Sequence, residues 1–303
     1  MNSPRLGHHH WFFLFLLVSL VMFWSPLRRL TDFALTEEQY SHIFLIPFLS
    51  AFLVFQERRT VFSNVSFNPP LGILFLVSAS LVYFLHQLLR NSLTENDSLS
   101  LLMMALVLTW QGSFAACYGS RAVRAGLFPV LFLFLTVPIP DFLLSNTIRF
   151  LQMGSAEISA LFFRLSGVPV FRQETLFVFP SLAIDVAPEC SGIRSSIALF
   201  ITVLLAGHLF LRSPWSKLTL VSLVIPLALF KNGLRIATLT LLTIYTGSDF
   251  LSGDLHKRGG AVFFMMTLVV AWGFLRALLK LQSRAGHAAT VEMKPSAQKG
   301  ETG

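Results

Sequence analysis

The string APECSGIRSS, residues 187–196, sets Cys190 at the mouth of a long apolar run, with Ser191, Gly192 and Arg194 beside it. The chain has only 2 cysteines. A thiol is nucleophilic as the thiolate, which a helix N-terminus or a neighbouring cation favours. Arg194 follows four residues on, about one helical turn away. Downstream, LFKNGLRIATLT carries Lys231, Asn232 and Arg235, and DLHKRGGAVFF carries His256. A histidine there could deprotonate the thiol and later protonate a leaving amine. Arg235 cannot act as a base, because its guanidinium keeps its proton. Its plausible work is to hold a substrate carboxylate or to stabilise an oxyanion. Taken singly, these residues have bland readings: packing for the cysteine, snorkelling to headgroups for an arginine. Only their convergence would make a site.

The elements that must position them are membrane spans. Of 303 residues, 54% are hydrophobic and 13% charged, about half the charged share of a soluble domain. Apolar runs approach the roughly 20 residues that cross a bilayer. The expected fold is an all-α polytopic membrane protein of about eight transmembrane helices, at 11–26, 42–55, 71–89, 99–117, 127–137, 193–211, 218–245 and 261–281. Before the sixth span, residues 142–165 place Arg149, Gln152, Glu157 and Arg164 roughly on one side, as in an amphipathic helix lying at the interface or lining a cavity. PVFRQETLFVFPSLAIDVAPE then reads as a short hairpin or extended pair leading into Cys190. Residues 1–281 form one expected domain, and 282–303 a polar, disordered tail.

Loop charges orient the spans. Arg5, Arg58, Arg59, Arg121, Arg124, Arg212, Lys217, Lys280 and Arg284 fall on one side; Asp32, Glu37, Glu95, Asp97, Asp141 and Asp249 fall on the other. Arg28, Arg29, Arg90, Lys257 and Arg258 also lie on that second side, so the bias is real without being clean. The positive-inside rule puts both termini in the cytoplasm and residues 138–189 outside. Cys190 and Arg194 then sit near the outer end of the sixth span. Arg235 lies roughly 25 Å along the seventh from Leu218, at about 1.5 Å per residue, and His256 follows on the same outer side. Cysteine, arginine and histidine therefore share one depth. Ionisable groups buried in spans cost about 2.5–3.5 kcal/mol on insertion scales and usually face a cavity or a partner.

Other residues carry less. Cys117 lies at the inner end of the fourth span, on the wrong side to pair with Cys190. His8, His9 and His10 fit a flexible tail, and His208 fits the inner interface. No Cys/His spacing matches a zinc site and no His-Glu-x-x-His helix occurs, so neither metal nor cofactor is expected. The net charge of +8 suits cytoplasmic loops, and nucleic acid is not an expected partner. On residues alone, a membrane cysteine enzyme, a transporter or flippase with an arginine-lined anion path, and a membrane acyltransferase with Cys190 as acyl carrier stay open.

Cys190-Ser191-Gly192-Ile193-Arg194-Ser195, Asn232-x-x-Arg235-Ile236 and His256 ahead of Gly260 together resemble the exosortase/archaeosortase family. YSHIFLIPFLSAFLVFQERR, residues 40–59, is similar to that family's N-terminal signature. Ala261-Val262 follows Gly260 where the family often has an aromatic. The resemblance implies a cysteine transpeptidase or protease of the cytoplasmic (inner) membrane, active on its outer face. Its substrates would be exported proteins bearing a C-terminal Pro-Glu-Pro-type sorting tail, moved to an unknown acceptor. It further implies Cys190 as nucleophile, Arg235 and His256 as its catalytic partners, and Arg194, Asn232 and Ser191 as supporting or substrate-binding groups.

Overall fold

Long apolar runs in a chain this poor in charge fold as helices, because a helix satisfies its backbone polar groups internally. The structure, a computed structural model, describes residues 4–247 and 254–292, with side chains over 7–37, 39–247 and 260–284. It is that of an all-α polytopic membrane protein with one small sheet. Among the described residues, six helices are long and apolar enough to cross a bilayer: Gln39–Gln56, Pro69–Leu89, Glu95–Ala125, Pro188–Phe210, Pro214–Thr246 and Gly260–Arg284. Two further segments qualify only as bent pairs, which makes up to eight spans.

The N-terminal unit, Met1–Asn146, contains α1 (Pro4–Met22), α2 (Trp24–Thr36), α3 (Leu45–Gln56), α4 (Arg58–Val61), α5 (Pro69–Leu89), α6 (Glu95–Ala125) and α7 (Leu127–Phe132). The expected straight span at 11–26 is instead α1 and α2, bent by 70°. Pro26 is the cause: it has no N–H for the carbonyl of Met22, and its ring crowds that carbonyl. Pro129 stands in the same relation to Ala125, where α6 ends. The expected span at 127–137 is likewise broken, into α7, a 3-10 turn at Leu133–Thr136, and the helix that begins at Asp141 after Pro138 and Pro140. The signature-like segment at 40–59 is anchored by Tyr40, 1% exposed, which donates to Asn96 Oδ1 at 3.0 Å. Asn96 donates onward to Asp141 Oδ1 at 2.6 Å. At the segment's other end Arg58 lies 4.1 Å over the Phe55 ring.

The C-terminal unit, Thr147–Gly303, holds most of α8 (Asp141–Leu165), then β1 (Phe171–Gln173), β2 (Leu176–Val178), β3 (Ala183–Asp185), α9 (Ile193–Phe210), α10 (Pro214–Ser222), α11 (Val224–Thr246) and α12 (Asp254–Glu292). The expected hairpin is real but gains a strand. β1, β2 and β3 form an antiparallel sheet in that order, because the chain turns back at Pro180-Ser181. Glu174 takes φ +52° in the two-residue β1–β2 turn. Arg172 braces it, donating Nε to the Glu174 carbonyl at 2.7 Å and pairing with Glu157 Oε1 at 2.8 Å. The sheet seats on α8 through Phe163, whose ring meets Phe177 at 5.2 Å and Phe179 at 5.0 Å. α8 buries Leu151, Ser155, Ala156, Ser159, Ala160 and Phe163, a helical stripe opposite Glu157 and Arg164. α10 ends at Ser222, again four residues before a proline, Pro226, and α11 follows across Leu223. α12 continues as helix to Glu292, beyond the start of the expected tail at 282; residues 293–303 lie outside the described residues.

Candidate active site

Cys190 sits in a single 3-10 turn, Pro188–Ser191, between β3 and α9. Pro188 fixes φ at the first position of that turn, where a missing N–H costs nothing. Cys190 N donates to the Ala187 carbonyl at 2.9 Å, closing the turn. Gly192 then takes φ +77°, left-handed backbone that a residue with a Cβ adopts at a cost. A Cβ there would also come within 3.0 Å of Asn232 Oδ1. The reversal aims the chain into α9. The Gly192 carbonyl accepts from Ser196 N at 3.0 Å, Ser196 Oγ at 2.8 Å and Ser195 Oγ at 3.0 Å. Ser191 is 1% exposed, and its Oγ accepts from Ile193 N at 3.4 Å at the start of α9.

α11 supplies the facing wall. Gly233 lets α8 approach so closely that a Cβ would fall 2.7 Å from Ile158 Cβ. Ser159 Oγ donates to the Gly233 carbonyl at 3.0 Å across that contact. The close approach sets Asn232, 1% exposed, between two helices and the cysteine turn. Its Nδ2 donates to the Cys190 carbonyl at 2.8 Å and to Ser155 Oγ at 3.0 Å. Lys231, 3% exposed, donates to Ser195 Oγ. Two adjacent residues of α11 thus hold the Cys190–Ser195 segment at both ends.

Between β3 and α11 lies a cavity of about 40 Å³. Ile184, Asp185, Val186 and Cys190 line one side of it. Arg235, Ile236, Leu239 and Thr240 line the other. The floor is set from α8, where Gln152 Nε2 donates to the Val186 carbonyl at 2.7 Å. Cys190 and Arg235, 45 residues apart in sequence (235 − 190), thus share one cavity. Arg194 does not join them: it is exposed, and the cavity lining lacks it. One residue on, Ser195 takes the inward position, because 100° of helix rotation separates the two. The side chain of His256 lies outside the described residues. Its backbone is in α12, one turn before Gly260, and a Cβ on Gly260 would stand 4.0 Å from Arg235 Cζ. Cys117 lies in the N-terminal unit, fully buried, its carbonyl bonded to His8 Nδ1 at 2.8 Å.

Residues 34–273, spanning the 40–59 segment, the cysteine turn, Arg235 and the His256 turn, match the transmembrane exosortase family. The chain belongs to that family. No curated protein and no solved structure matches it. As an exosortase it is a multi-pass membrane protein, and its helices present many large apolar side chains outward, as a lipid environment requires. Ser155 and Thr240 of this exosortase's site region leave no mark in the sequence pattern, whereas Gln152, on the polar side of α8, and Ser195, in the cysteine motif, stand in it without an assigned role. Each is an ordinary polar residue in an apolar helix. The available signal was weak, namely that Ser155 and Ser159 fall on the α8 stripe that packs inward.

Proposed function

We propose that this exosortase is a membrane cysteine transpeptidase, with Cys190 as nucleophile, Arg235 as the group that holds negative charge, and His256 as general acid and base. The observation that carries the reading is the cavity shared by Cys190 and Arg235 in a chain of this family. The position of Gly260 against Arg235, one helical turn from His256, supports the third role.

The chemistry is acyl transfer. His256 takes the thiol proton, and Sγ attacks the carbonyl carbon of the scissile peptide bond. Arg235 compensates the charge on the resulting oxyanion, where a fixed cation in a site shielded from water is most effective. His256 returns the proton to the leaving amine as the C–N bond breaks, which leaves a thioester on Cys190. An acceptor amine then attacks the thioester, the new amide forms, and the thiol is regenerated with its proton. Water in place of the amine gives hydrolysis. Asn232 and Ser191 serve by positioning the cysteine turn, and Arg194, being exposed, by meeting the charged part of a substrate or a lipid headgroup.

The substrates would be exported proteins with a C-terminal Pro-Glu-Pro-type sorting tail whose own helix spans the bilayer. Lateral binding in the membrane then fixes orientation and raises local concentration. The enzyme would reside in the cytoplasmic membrane with both termini inside and the cavity at the outer face. The test is co-expression with a reporter carrying such a tail. Cys190→Ala should abolish tail removal while the protein still unfolds at the wild-type temperature in detergent. Tail removal that survives this change overturns the nucleophile and the reading with it, and a transporter would keep its transport without the thiol.

A further inference from the structure

Threonine in a membrane helix normally satisfies its hydroxyl on its own helix. Five threonines of the C-terminal unit do so, each donating to the carbonyl four residues back: Thr202, Thr219, Thr243, Thr246 and Thr267, at 2.6–3.0 Å. Thr240 departs from them. It is fully buried, its Oγ1 has no hydrogen-bond partner among the described residues, and it lines the cavity that holds Cys190 and Arg235. A buried hydroxyl left without a partner is destabilising, and native proteins rarely keep one without a use. Of the other residues that line it, besides Cys190 and Arg235, Ile184, Val186, Ile236 and Leu239 are apolar, and the Asp185 carboxylate accepts from Thr175 Oγ1 at 2.8 Å.

We infer that Thr240 is a specificity-determining residue whose hydroxyl hydrogen-bonds the substrate residue that donates its carbonyl to Cys190. This rests on the transpeptidase reading above and extends it to the identity of a subsite. The acyl side is the side that stays. Once the amine has left, only the residue bonded to Sγ remains beside the sulfur, so a cavity walled by Cys190 serves that residue through both half-reactions. The space of about 40 Å³ holds two or three water-sized groups. A glycine, alanine or serine fits it. Largely apolar walls, with the Thr240 hydroxyl unpartnered among the described residues, select a residue with a hydrogen-bonding group within reach, its own backbone or a side-chain hydroxyl. A site built to hydrogen-bond its ligand discriminates strongly, because the unbonded polar group is otherwise stranded.

The experiment uses the full-length protein in membranes with a tailed reporter in which the residue at the cleavage point is varied. Thr240→Val keeps the shape and removes the hydroxyl. It should lower the rate of tail removal about tenfold, while its unfolding temperature in detergent stays level or rises. Thr240→Ser should stay within about twofold of wild type. Reporters with alanine or serine before the cleaved bond should be processed faster than those with phenylalanine. Alkylation of Cys190 by iodoacetamide should proceed at the wild-type rate in Thr240→Val, since the hydroxyl acts on substrate and not on the thiol. Wild-type processing by Thr240→Val, or processing and alkylation falling together, overturns the inference. If Cys190→Ala also processes the reporter, the failure lies with the transpeptidase reading itself.

Discussion

Asn232 holds Cys190 by its carbonyl, not by its sulfur. The amide bridges Cys190 O and Ser155 Oγ from a fully enclosed position. Removing it takes away a hydrogen bond from the buried Ser155 hydroxyl and from the Cys190 carbonyl, and each buried group left unpaired costs about 1–3 kcal/mol. Asn232→Ala should therefore lower the unfolding temperature, and it should alter the alkylation rate of Cys190, because the turn carrying the thiol loses its tether. A thiol that reacts at the wild-type rate in that variant would mean that the turn is held by Pro188 and Gly192 alone. Lys231 works beside it. A buried ammonium is costly in a span, and its bond to Ser195 links it to the Gly192 carbonyl on which the reversal into α9 turns.

The elements are placed by prolines and glycines more than by charge. Among the described residues five helices stop four residues before a proline, at Met22, Ala125, Leu165, Phe210 and Ser222, where no N–H four residues on is left for the carbonyl. Gly233 has the opposite effect and brings α8 and α11 together. Gly233→Leu would drive a side chain into Ile158 and the Ser155 carbonyl. Overpacking of that kind costs about 1–3 kcal/mol, and here it would also pull Asn232 away from Ser155. The expected outcome is a lower unfolding temperature together with lost tail processing, and a variant that loses neither would show that the two helices separate at no cost. By contrast, the Arg172–Glu157 pair has a largely exposed carboxylate, so it contributes at most about 1 kcal/mol and serves mainly to brace the β1–β2 turn.

At the scale of the whole molecule, the pattern of basic loops predicts a topology with both termini inside. Arg58 and Arg59, Arg121 and Arg124, and Arg212 and Lys217 all flank the ends of spans assigned to the inside. A fluorescent protein fused at the C-terminus should glow, and alkaline phosphatase fused after Arg90 should be active. A dark C-terminal fusion with an inactive phosphatase would invert the molecule and place the Cys190 cavity on the cytoplasmic face.

Composition and periodicity by themselves determined the membrane class, six of the spans, and the residues Cys190 and Arg235 that meet in one cavity. These are local properties: an apolar run of spanning length has few alternatives, and a cation at a given depth needs a polar neighbour at the same depth. The tertiary structure decided what local properties leave open. Whether Arg194 or Ser195 faces inward depends on a helix phase of 100°, and only the packing of α9 against α11 sets it. Whether residues 171–185 make two strands or three depends on a turn back over β2. The role of Thr240 depends on the carbonyl it does not bond and the cavity it lines, neither of which has a trace in the order of residues.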